Sequence, residues 1–299
     1  APRTGAAGMS ATVLVTGAGG QVGRALLAAA WPAGLAPLGL IRPAPATAQG
    51  DAVGQALDAR AAVALVTAAA YTAVDKAESE PAAAWHGNAE AVALLAAATA
   101  RRGIPLLQLS TDFVFDGAKG APYLEDDAVN PLSVYGASKA AGEVAARANP
   151  LHLVLRTAWV FDAGGRNFLN TMLRLMAERP ELTVVADQRG QPTAAADIAA
   201  ALVRLLTLWR EGAAPWGTWH FAGGGETTWH GFAEAIVAGA AERIGRRPPV
   251  RPLTTADWPA AARRPADSRL DCGKLERGFG IRPRPWPAML QSVLRERLG

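Results

Sequence analysis

The sequence is poor in the residues that build disulfides, metal sites and membrane spans. It has one cysteine, Cys272, so no disulfide can form within the chain, and its four histidines (His86, His152, His220, His230) lack the spacing of metal ligands. No segment approaches the roughly 18–20 uncharged apolar residues of a membrane helix, and no signal-peptide pattern is present. The formal charge of +4 is spread along the chain rather than gathered into a dense basic face. We therefore expect a cytoplasmic protein with no metal, no membrane partner and no nucleic-acid partner.

Strand and helix patterns alternate through the first half of the chain. Apolar strand patterns cover residues 11–15, 36–41, 62–70, 104–109 and 151–155, and helix patterns cover 21–30, 53–61, 81–101 and 133–148. This alternation predicts an α/β fold with a Rossmann-type doubly wound parallel sheet. Later helix patterns (166–178, 194–209, 229–244) and a short strand (219–222) predict a smaller C-terminal α/β substrate lobe. We expect the dinucleotide-binding domain to cover mainly 9–160 and the lobe mainly 161–299, interwoven and without a clean linker.

A glycine-rich segment joins the first predicted strand to the first predicted helix. Gly17, Gly20 and Gly23 have the spacing G-x-x-G-x-x-G, which is typical of a turn where a pyrophosphate approaches the backbone and a helix N-terminus. Near the end of the second strand stands Arg42 with no carboxylate adjacent, and an arginine there can pair with a 2′-phosphate. Asp51, further along the chain, is a candidate contact for the adenine of the cofactor. We expect NADPH as the cofactor, with NADH as the alternative. The competing interpretations are a plain glycine turn for residues 17–23 and a solvated loop arginine for Arg42.

Tyr135 and Lys139 are four residues apart in a predicted helix and share one of its faces. A lysine ammonium beside a phenol is expected to lower the tyrosine's pKa towards neutrality, which suits a proton donor. Ser110, Thr111 and Asp112 follow the strand predicted over 104–109, and the carboxyl end of a parallel strand lies in the ligand crevice. Because a hydroxyl there can bond a substrate carbonyl, the set predicts a nicotinamide-dependent carbonyl reductase; an exposed helix pair is the alternative for the tyrosine and lysine alone.

Seven segments together resemble the extended short-chain dehydrogenase/reductase family, and within it the branch that reduces 4-keto deoxysugars linked to dTDP. They are Val-Thr-Gly-Ala-Gly-Gly-Gln-Val-Gly (15–23), Ala-Ala-Ala-Tyr-Thr-Ala-Val-Asp-Lys-Ala-Glu-Ser (68–79), Ser-Thr-Asp-Phe-Val-Phe-Asp-Gly (110–117), Asn-Pro-Leu-Ser-Val-Tyr-Gly-Ala-Ser-Lys (130–139), Leu-Arg-Thr-Ala-Trp-Val-Phe (155–161), Gly-Gln-Pro-Thr (190–193) and Arg-Arg-Pro-Ala-Asp-Ser-Arg (263–269). The second segment is more specific to this branch than the glycine motif.

The resemblance implies roles for the matched residues. The cofactor-binding set is Gly17, Gly20, Gln21, Val22, Gly23, Ala68, Ala69, Ala70, Tyr135 and Lys139, with the pyrophosphate on 20–22 and the three alanines along the cofactor. Tyr135 would donate the proton, Lys139 would tune it and bond the nicotinamide ribose, and Thr111 would polarise the C4 carbonyl. In the substrate-binding set, Thr111 would act at the carbonyl, and Asp112 and Trp159 would contact the deoxysugar. The rest of the set would face the nucleotide part, whose diphosphate suits an arginine: Asn167, Gln191, Arg264 and Arg269. Some relatives bind a metal between subunits through late carboxylates, but Glu296 alone stands there, so no metal is carried over.

The implied reaction is reduction of dTDP-4-dehydro-beta-L-rhamnose to dTDP-L-rhamnose, the last step of dTDP-L-rhamnose biosynthesis, by a cytoplasmic monomer or homodimer. Alternatives are another nucleotide-sugar reductase or epimerase of the same family, or a non-catalytic regulatory subunit resembling that of methionine adenosyltransferase. Phe113 stands where the related 4,6-dehydratases carry an extra acid, which argues against dehydration. The intact set of Tyr135, Lys139 and Thr111 argues against a regulatory subunit.

Overall fold

The structure, a computed structural model, describes residues 10–40 and 52–299. Its strands are β1 (Ala11–Thr16), β2 (Leu35–Leu40), β3 (Ala62–Thr67), β4 (Leu106–Thr111), β5 (His152–Thr157), β6 (Val160–Phe161), β7 (Leu182–Val185), β8 (Arg189–Gly190), β9 (Thr193–Ala194), β10 (Gly217–His220), β11 (Thr227–Thr228) and β12 (Val250–Leu253). Its α-helices are α1 (Gln21–Ala28), α2 (Ala52–Ala59), α3 (Val74–Ser79), α4 (Pro81–Trp85), α5 (Ala91–Arg102), α6 (Val134–Ala146), α7 (Phe168–Glu178), α8 (Ala195–Arg210), α9 (Trp229–Ile244), α10 (Gly273–Phe279) and α11 (Trp286–Leu298).

Six of these strands form one parallel sheet in the order β2-β1-β3-β4-β5-β10. The chain leaves β1 for β2 on one side and returns to β3 on the other, so the direction of winding reverses between β1 and β3. The predicted doubly wound parallel sheet is confirmed. In such sheets the ligand crevice lies at this reversal, outside the carboxyl ends of the two strands. Here β1 ends at Thr16 and β3 ends at Thr67.

The two faces of the sheet carry separate hydrophobic cores because side chains alternate along each strand. Val13 and Val15 are fully buried in the core that includes α1 and α8, whereas Leu14 is fully buried in the core that includes α2 and α5. A parallel sheet covered on both faces needs apolar side chains in both directions, which explains the continuous apolar runs in the sequence.

Residues after 160 contribute to both parts of the molecule. Helices α7, α9 and α11 enclose a core of their own, which includes Phe161, Leu169, Phe232 and Met289. Strand β10, however, is part of the main sheet, where it pairs with β5. Helix α8 packs on one face of the same sheet, over β1 and β4. The division into 9–160 and 161–299 stays a prediction.

Several stretches differ from the sequence patterns, among them α3 and β7, for which no element is predicted. The helix predicted over 81–101 is divided into α4, a π-helical turn (His86–Glu90) and α5. The tail beyond residue 245, for which no element is predicted, contains β12, α10 and α11. In the part of the chain that the structure describes, no helix is long and apolar enough to cross a membrane.

Candidate active site

Gly17 and Gly23 bring the loop after β1 close to neighbouring backbone. Gly17 has a φ of +66°, and a Cβ there would lie 2.4 Å from the backbone nitrogen of Ala69. A Cβ on Gly23 would lie 2.1 Å from the carbonyl oxygen of Gly17, so a side chain at either position would collide with backbone. Gly20 is exposed and precedes α1 without a side-chain cap. The N-terminus of α1 is therefore open to an anion, whose oxygens can accept its N–H groups.

Ala68, Ala69 and Ala70 follow β3 directly beside this loop. Ala68 donates its N–H to the carbonyl oxygen of Thr16 at 3.2 Å, and Ala69 donates to Thr16 Oγ1 at 3.5 Å. The first two alanines are half-buried and the third is exposed. The three residues thus form one wall of the crevice between β1 and β3, and the glycine loop forms the other.

Gln21 and Val22 begin α1. Val22 is buried in the core of the main sheet, so its side chain supports the turn while its backbone faces the crevice. Gln21 Oε1 accepts a hydrogen bond of 3.0 Å from Asn167 Nδ2. Arg42 and Asp51 lie outside the described residues, so their expected roles at the adenosine end of the cofactor stay predictions.

Asn167 caps the N-terminus of α7 and lies against the glycine loop. Its Oδ1 accepts from the backbone N–H of Asn170 at 2.9 Å, and its Nδ2 donates to Asp162 Oδ1 at 2.8 Å as well as to Gln21. The structure therefore places the Asn167 amide on the cofactor side of the crevice. Contact with the nucleotide of the substrate stays a prediction for this residue.

The carboxyl end of β4 meets the first turn of α6. Ser110, Thr111 and Asp112 are all buried. Ser133 caps α6, its Oγ accepting from the Gly136 N–H at 3.1 Å, and a Cβ on Gly136 would lie only 2.3 Å from the carbonyl oxygen of Phe113. This close approach, which glycine alone permits, holds the start of α6 against the end of β4.

Tyr135 and Thr111 meet at this junction. The Thr111 side chain acts on the phenol, and the ring packs edge-on against Phe113 with centroids 5.9 Å apart. Burial raises the pKa of Tyr135 to about 12; the Thr111 side chain opposes this and the charge of Asp112 adds to it. The phenol is therefore fully protonated at neutral pH.

Lys139 lies one helical turn further along α6 and is buried. Its Nζ donates to the carbonyl oxygen of Leu109 at 2.6 Å, and burial lowers its pKa to about 8 while the charge of Glu143 acts in the opposite direction. The expectation that Lys139 lowers the tyrosine's pKa towards neutrality is wrong for this structure. The ammonium bonds a backbone carbonyl instead, and the loss of water around the phenol dominates.

Asp112 connects the end of β4 to the segment 263–269. Its Oδ1 accepts from Thr111 Oγ1 at 3.1 Å and its Oδ2 accepts from Ser268 Oγ at 2.5 Å. Burial raises the pKa of Asp112 to about 6, with both hydroxyls opposing the shift. The predicted substrate-binding residues at positions 111 and 112 therefore belong to one network with Tyr135.

Trp159 follows β5 in a strained backbone conformation. Its φ is +45°, a region that bulky residues rarely adopt, and the side chain is 9% exposed. Its ring stacks on Trp229 at 3.6 Å between centroids, and a Cβ on Gly190 would lie 2.3 Å from it. The surroundings fix this indole firmly; its contact with the deoxysugar stays a prediction.

The polar atoms of Gln191 pair with backbone. Gln191 Oε1 accepts from the Leu270 N–H at 2.7 Å, and its Nε2 donates to the Leu270 carbonyl at 3.2 Å. This pairing joins the residues after β8 to the segment 263–269. A direct substrate contact by Gln191 stays a prediction.

Arg264 and Arg269 both bind carboxylates. Arg264 donates to both oxygens of Asp75, at 3.0 and 2.6 Å, which ties the segment after β3 to residues 262–264. Arg269 donates to both oxygens of Asp267, at 2.7 and 2.6 Å, and also to Glu226. These pairings raise the pKa of Arg269 further above its usual range. Their predicted binding of the substrate diphosphate is not tested by this geometry.

The sequence profile described as "RmlD substrate binding domain" matches residues 11–298. The chain belongs to this family. A dTDP-4-dehydrorhamnose reductase from Sinorhizobium fredii is 47% identical over 275 residues, which cover 91% of this chain and 93% of that protein. The resemblance drawn from the sequence motifs is confirmed.

Solved structures agree with the assignment to the RmlD substrate binding domain family. A dTDP-4-dehydrorhamnose reductase from Clostridium acetobutylicum superposes with a TM-score of 0.87 at 33% identity and covers 95% of this chain and 99% of its own. A dTDP-4-dehydrorhamnose reductase from Bacillus anthracis, solved in complex with NADP, has a TM-score of 0.86 at 32% identity and covers 96% of this chain and 100% of its own.

Two features of this family member fit a bound dinucleotide. The glycine loop brings backbone N–H groups to the crevice where a side chain would collide. At the end of β5, beside Thr111 in the sheet register, Thr157 Oγ1 is buried and has no hydrogen-bond partner among the described residues. A buried hydroxyl without a partner is costly, so a ligand group that reaches the crevice would be favoured there. Within the same residues, no group of three or more His, Cys, Asp or Glu side chains is arranged to hold a metal ion.

Sequence reasoning missed Asn88, which links the crevice wall to the catalytic helix. It lies in the π-helical turn, accepts from the Tyr71 N–H at 2.8 Å, and donates to the Tyr71 carbonyl and to Ser138 Oγ, each at 3.0 Å. Ser138 in turn donates to the Tyr135 carbonyl at 2.8 Å. An extra residue in a helix re-aims its side chains and often marks a functional site, but no periodicity signal reveals it.

Proposed function

We propose that this chain is an NADPH-dependent oxidoreductase that reduces dTDP-4-dehydro-beta-L-rhamnose to dTDP-L-rhamnose, the last step of dTDP-L-rhamnose biosynthesis. The observation that carries the proposal is the junction of Tyr135, Thr111 and Lys139 beside the glycine-lined crevice. A binding protein has no need of a protonated phenol and a buried ammonium at that point. The names of the similar proteins support the substrate, and the NADP complex of the Bacillus anthracis reductase supports the cofactor.

The residues that would hold the cofactor line the crevice between β1 and β3. Residues 20–22 would cradle the pyrophosphate through the N–H groups of Gln21 and Val22, because the N-terminus of α1 attracts negative charge; the Gly20 N–H donates to the Gly17 carbonyl at 2.9 Å. The alanines after β3 would lie along the cofactor without obstructing it. When bound, the nicotinamide supplies the hydride that reduces the substrate ketone.

Tyr135 acts as the proton donor in this proposal. The alkoxide that forms at C4 is far more basic than a phenol, so a phenol with a pKa of about 12 still gives up its proton to it. Thr111, which donates to Asp112 in this structure, would turn its one hydroxyl proton to the carbonyl oxygen and orient it. Lys139 keeps its positive charge below a pH of about 8, and its ammonium would bond the nicotinamide ribose, as the family resemblance implies.

The remaining assignments follow from this function. Asp112, which lies in the buried network around Tyr135, and Trp159 would contact the deoxysugar. We propose a cytoplasmic enzyme acting as a monomer or homodimer; the single cysteine supports a reducing compartment. Asn167, Gln191, Arg264 and Arg269 would face the nucleotide part of the substrate.

The proposal is tested by mixing the purified protein with dTDP-4-dehydro-L-rhamnose and NADPH and following both cofactor and sugar. We expect one NADPH to be oxidised for each dTDP-L-rhamnose formed. The matched control is Tyr135→Phe, which removes one oxygen atom and keeps the ring against Phe113. Conversion of the sugar without net loss of NADPH would point to an epimerase, and an unchanged rate in the control would remove Tyr135 from the mechanism.

A further inference from the structure

A buried ion pair lies directly behind the catalytic helix. Glu143 and Arg156 are each 1% exposed, and the guanidinium donates Nε to Glu143 Oε1 at 2.8 Å and a terminal nitrogen to Glu143 Oε2 at 2.7 Å. The pair joins α6 to β5 across the interior. Neither residue carries a role in the reaction described above.

The carboxylate also reaches the end of β4. Ser110 donates its Oγ to Glu143 Oε1 at 2.6 Å, and the preceding residue Leu109 accepts from Lys139 at 2.6 Å. Two consecutive residues of β4 therefore hold two α6 residues spaced four apart. Tyr135, Lys139 and Glu143 form one face of the helix, and Glu143 is its innermost member.

We propose that Glu143 is a positioning residue that fixes α6 on β4 through Ser110 and places a negative charge on the helix face that carries Lys139, with Arg156 as its counter-ion. The proposal rests on the proposed function, because it assigns Lys139 a role that requires its charge. Glu143 acts through Lys139 and touches neither cofactor nor substrate.

The charges of the pair act on Lys139 in opposite directions. Burial favours the neutral lysine, and the nearby negative charge of Glu143 opposes that effect. The Arg156 guanidinium binds both oxygens of the carboxylate, so we expect its positive charge to offset part of the effect of Glu143 on the ammonium. Removing the carboxylate charge should therefore lower the lysine's pKa, and removing the guanidinium should raise it.

Other ionisable groups face the Glu143–Arg156 pair and Tyr135 from the neighbouring elements. On α6, Arg147 approaches Glu143 Oε2 at 3.6 Å from the exposed side. From β10, His220 faces Arg156 at 3.3 Å and is neutral, since burial lowers its pKa to about 3. Glu125 faces His220, with burial raising the pKa of Glu125, and Asp112 faces Tyr135.

The experiment titrates the lysines directly by NMR of protein labelled with ¹³C at the lysine Cε. The chain has four lysines, so Lys139→Met assigns the signal of Lys139 without ambiguity. Three variants are compared with the wild type: Glu143→Gln, Arg156→Met and the double variant. The expected order of titration midpoints is Arg156→Met highest, then wild type, then the double variant, then Glu143→Gln, with the last displaced downward by roughly half a pH unit or more.

Damage to the structure alone would shift the Lys139 midpoint in the same direction in both single variants. Midpoints that shift in opposite directions therefore identify a charge effect. Removal of one member of a buried pair can prevent folding, whereas the neutral double variant avoids an unpaired charge. If a single variant does not fold, a downward shift in the double variant still supports the proposal. Ser110→Ala, which removes a hydrogen bond and no charge, should leave the midpoint in place.

Unchanged midpoints in all variants, or an Arg156→Met midpoint below that of the wild type, would overturn the proposal. The titration needs no substrate, so it is decided separately from the proposed function. In active protein, the alkaline limb of the kcat profile should move with the Lys139 midpoint of each variant. A limb that stays fixed while the midpoint moves would refute the role of Glu143 in catalysis.

Discussion

The contact between Gly136 and Phe113 provides a sharp test of how the site is built. In Gly136→Ala the new Cβ would lie 2.3 Å from the Phe113 carbonyl oxygen, a distance that real Cβ atoms do not tolerate. Neither partner is the end of a flexible side chain, so α6 and the backbone after β4 must separate by about 1 Å to restore ordinary contact. Tyr135 precedes Gly136 and Thr111 lies two residues before Phe113, so the separation falls on the catalytic pair.

The expected loss is large in activity and small in stability. A displacement of about 1 Å at reacting groups can cost roughly 10²-fold in rate, so kcat/KM should fall by about that factor. Overpacking costs about 1–3 kcal/mol, and replacing a helical glycine by alanine returns about 1 kcal/mol. The net change in the free energy of unfolding should therefore lie between about zero and 2 kcal/mol.

The assay compares kcat/KM and urea unfolding of Gly136→Ala with those of a matched variant, Gly278→Ala. A Cβ on Gly278, also in a helix, would lie 3.5 Å from Trp219, which is ordinary contact, so this variant should be fully active and slightly more stable. Full activity of Gly136→Ala would refute the argument that close backbone approach positions Tyr135. Equal losses in the two variants would show that alanine in a helix, rather than the collision, is responsible.

Three further predictions concern the proton donor, a surface ion pair and a buried histidine. Tyr135→Phe should lower kcat by about 10²–10⁴-fold and NADPH affinity far less, measured by steady-state kinetics and cofactor titration; a loss confined to affinity would contradict the proton-donor role. Asp75→Asn should cost about 0.2–1 kcal/mol near pH 7 in urea unfolding, because both carboxylate oxygens bind Arg264. This pairing holds the Asp75 pKa below its usual range, so the difference in the free energy of unfolding between wild type and Asp75→Asn should shrink on acidification. A difference that stays constant with pH would refute the stabilising role of the ion pair. Burial lowers the His220 pKa from 6.5 to about 3. Between these two pH values His220 is therefore protonated in the unfolded chain and neutral in the folded one. The stability advantage of wild type over His220→Gln should therefore shrink by about 2 kcal/mol from pH 7 to 5, whereas an equal advantage at both pH values would contradict neutral burial.

Features that depend on local spacing could be predicted from the sequence. The strand and helix alternation predicts the parallel sheet, and helix α9 has the predicted bounds. Gly17 and Gly23 are predicted from their spacing because a tight turn before a helix constrains the backbone locally. Tyr135 and Lys139 are predicted for the same reason, since a four-residue separation in a helix fixes a shared face.

Features that depend on distant partners could not be predicted. Arg264 is expected to be available for a diphosphate, yet it binds Asp75, which is 189 residues away in the sequence. Gln191 similarly pairs with the backbone of Leu270, and only the tertiary fold brings these groups together. The direction of the Tyr135 pKa shift was wrong because the sequence does not reveal how much water surrounds the phenol.

The most direct test of the proposed function follows the hydride itself. NADPH carrying deuterium at C4 of its nicotinamide ring is incubated with dTDP-4-dehydro-L-rhamnose and the protein, and the sugar product is analysed by NMR and mass spectrometry. The proposal predicts dTDP-L-rhamnose with deuterium at C4 of the sugar when one of the two labelled faces of the cofactor is used, and none when the other face is labelled. Product without deuterium from either labelled cofactor, or no product at all, would contradict it.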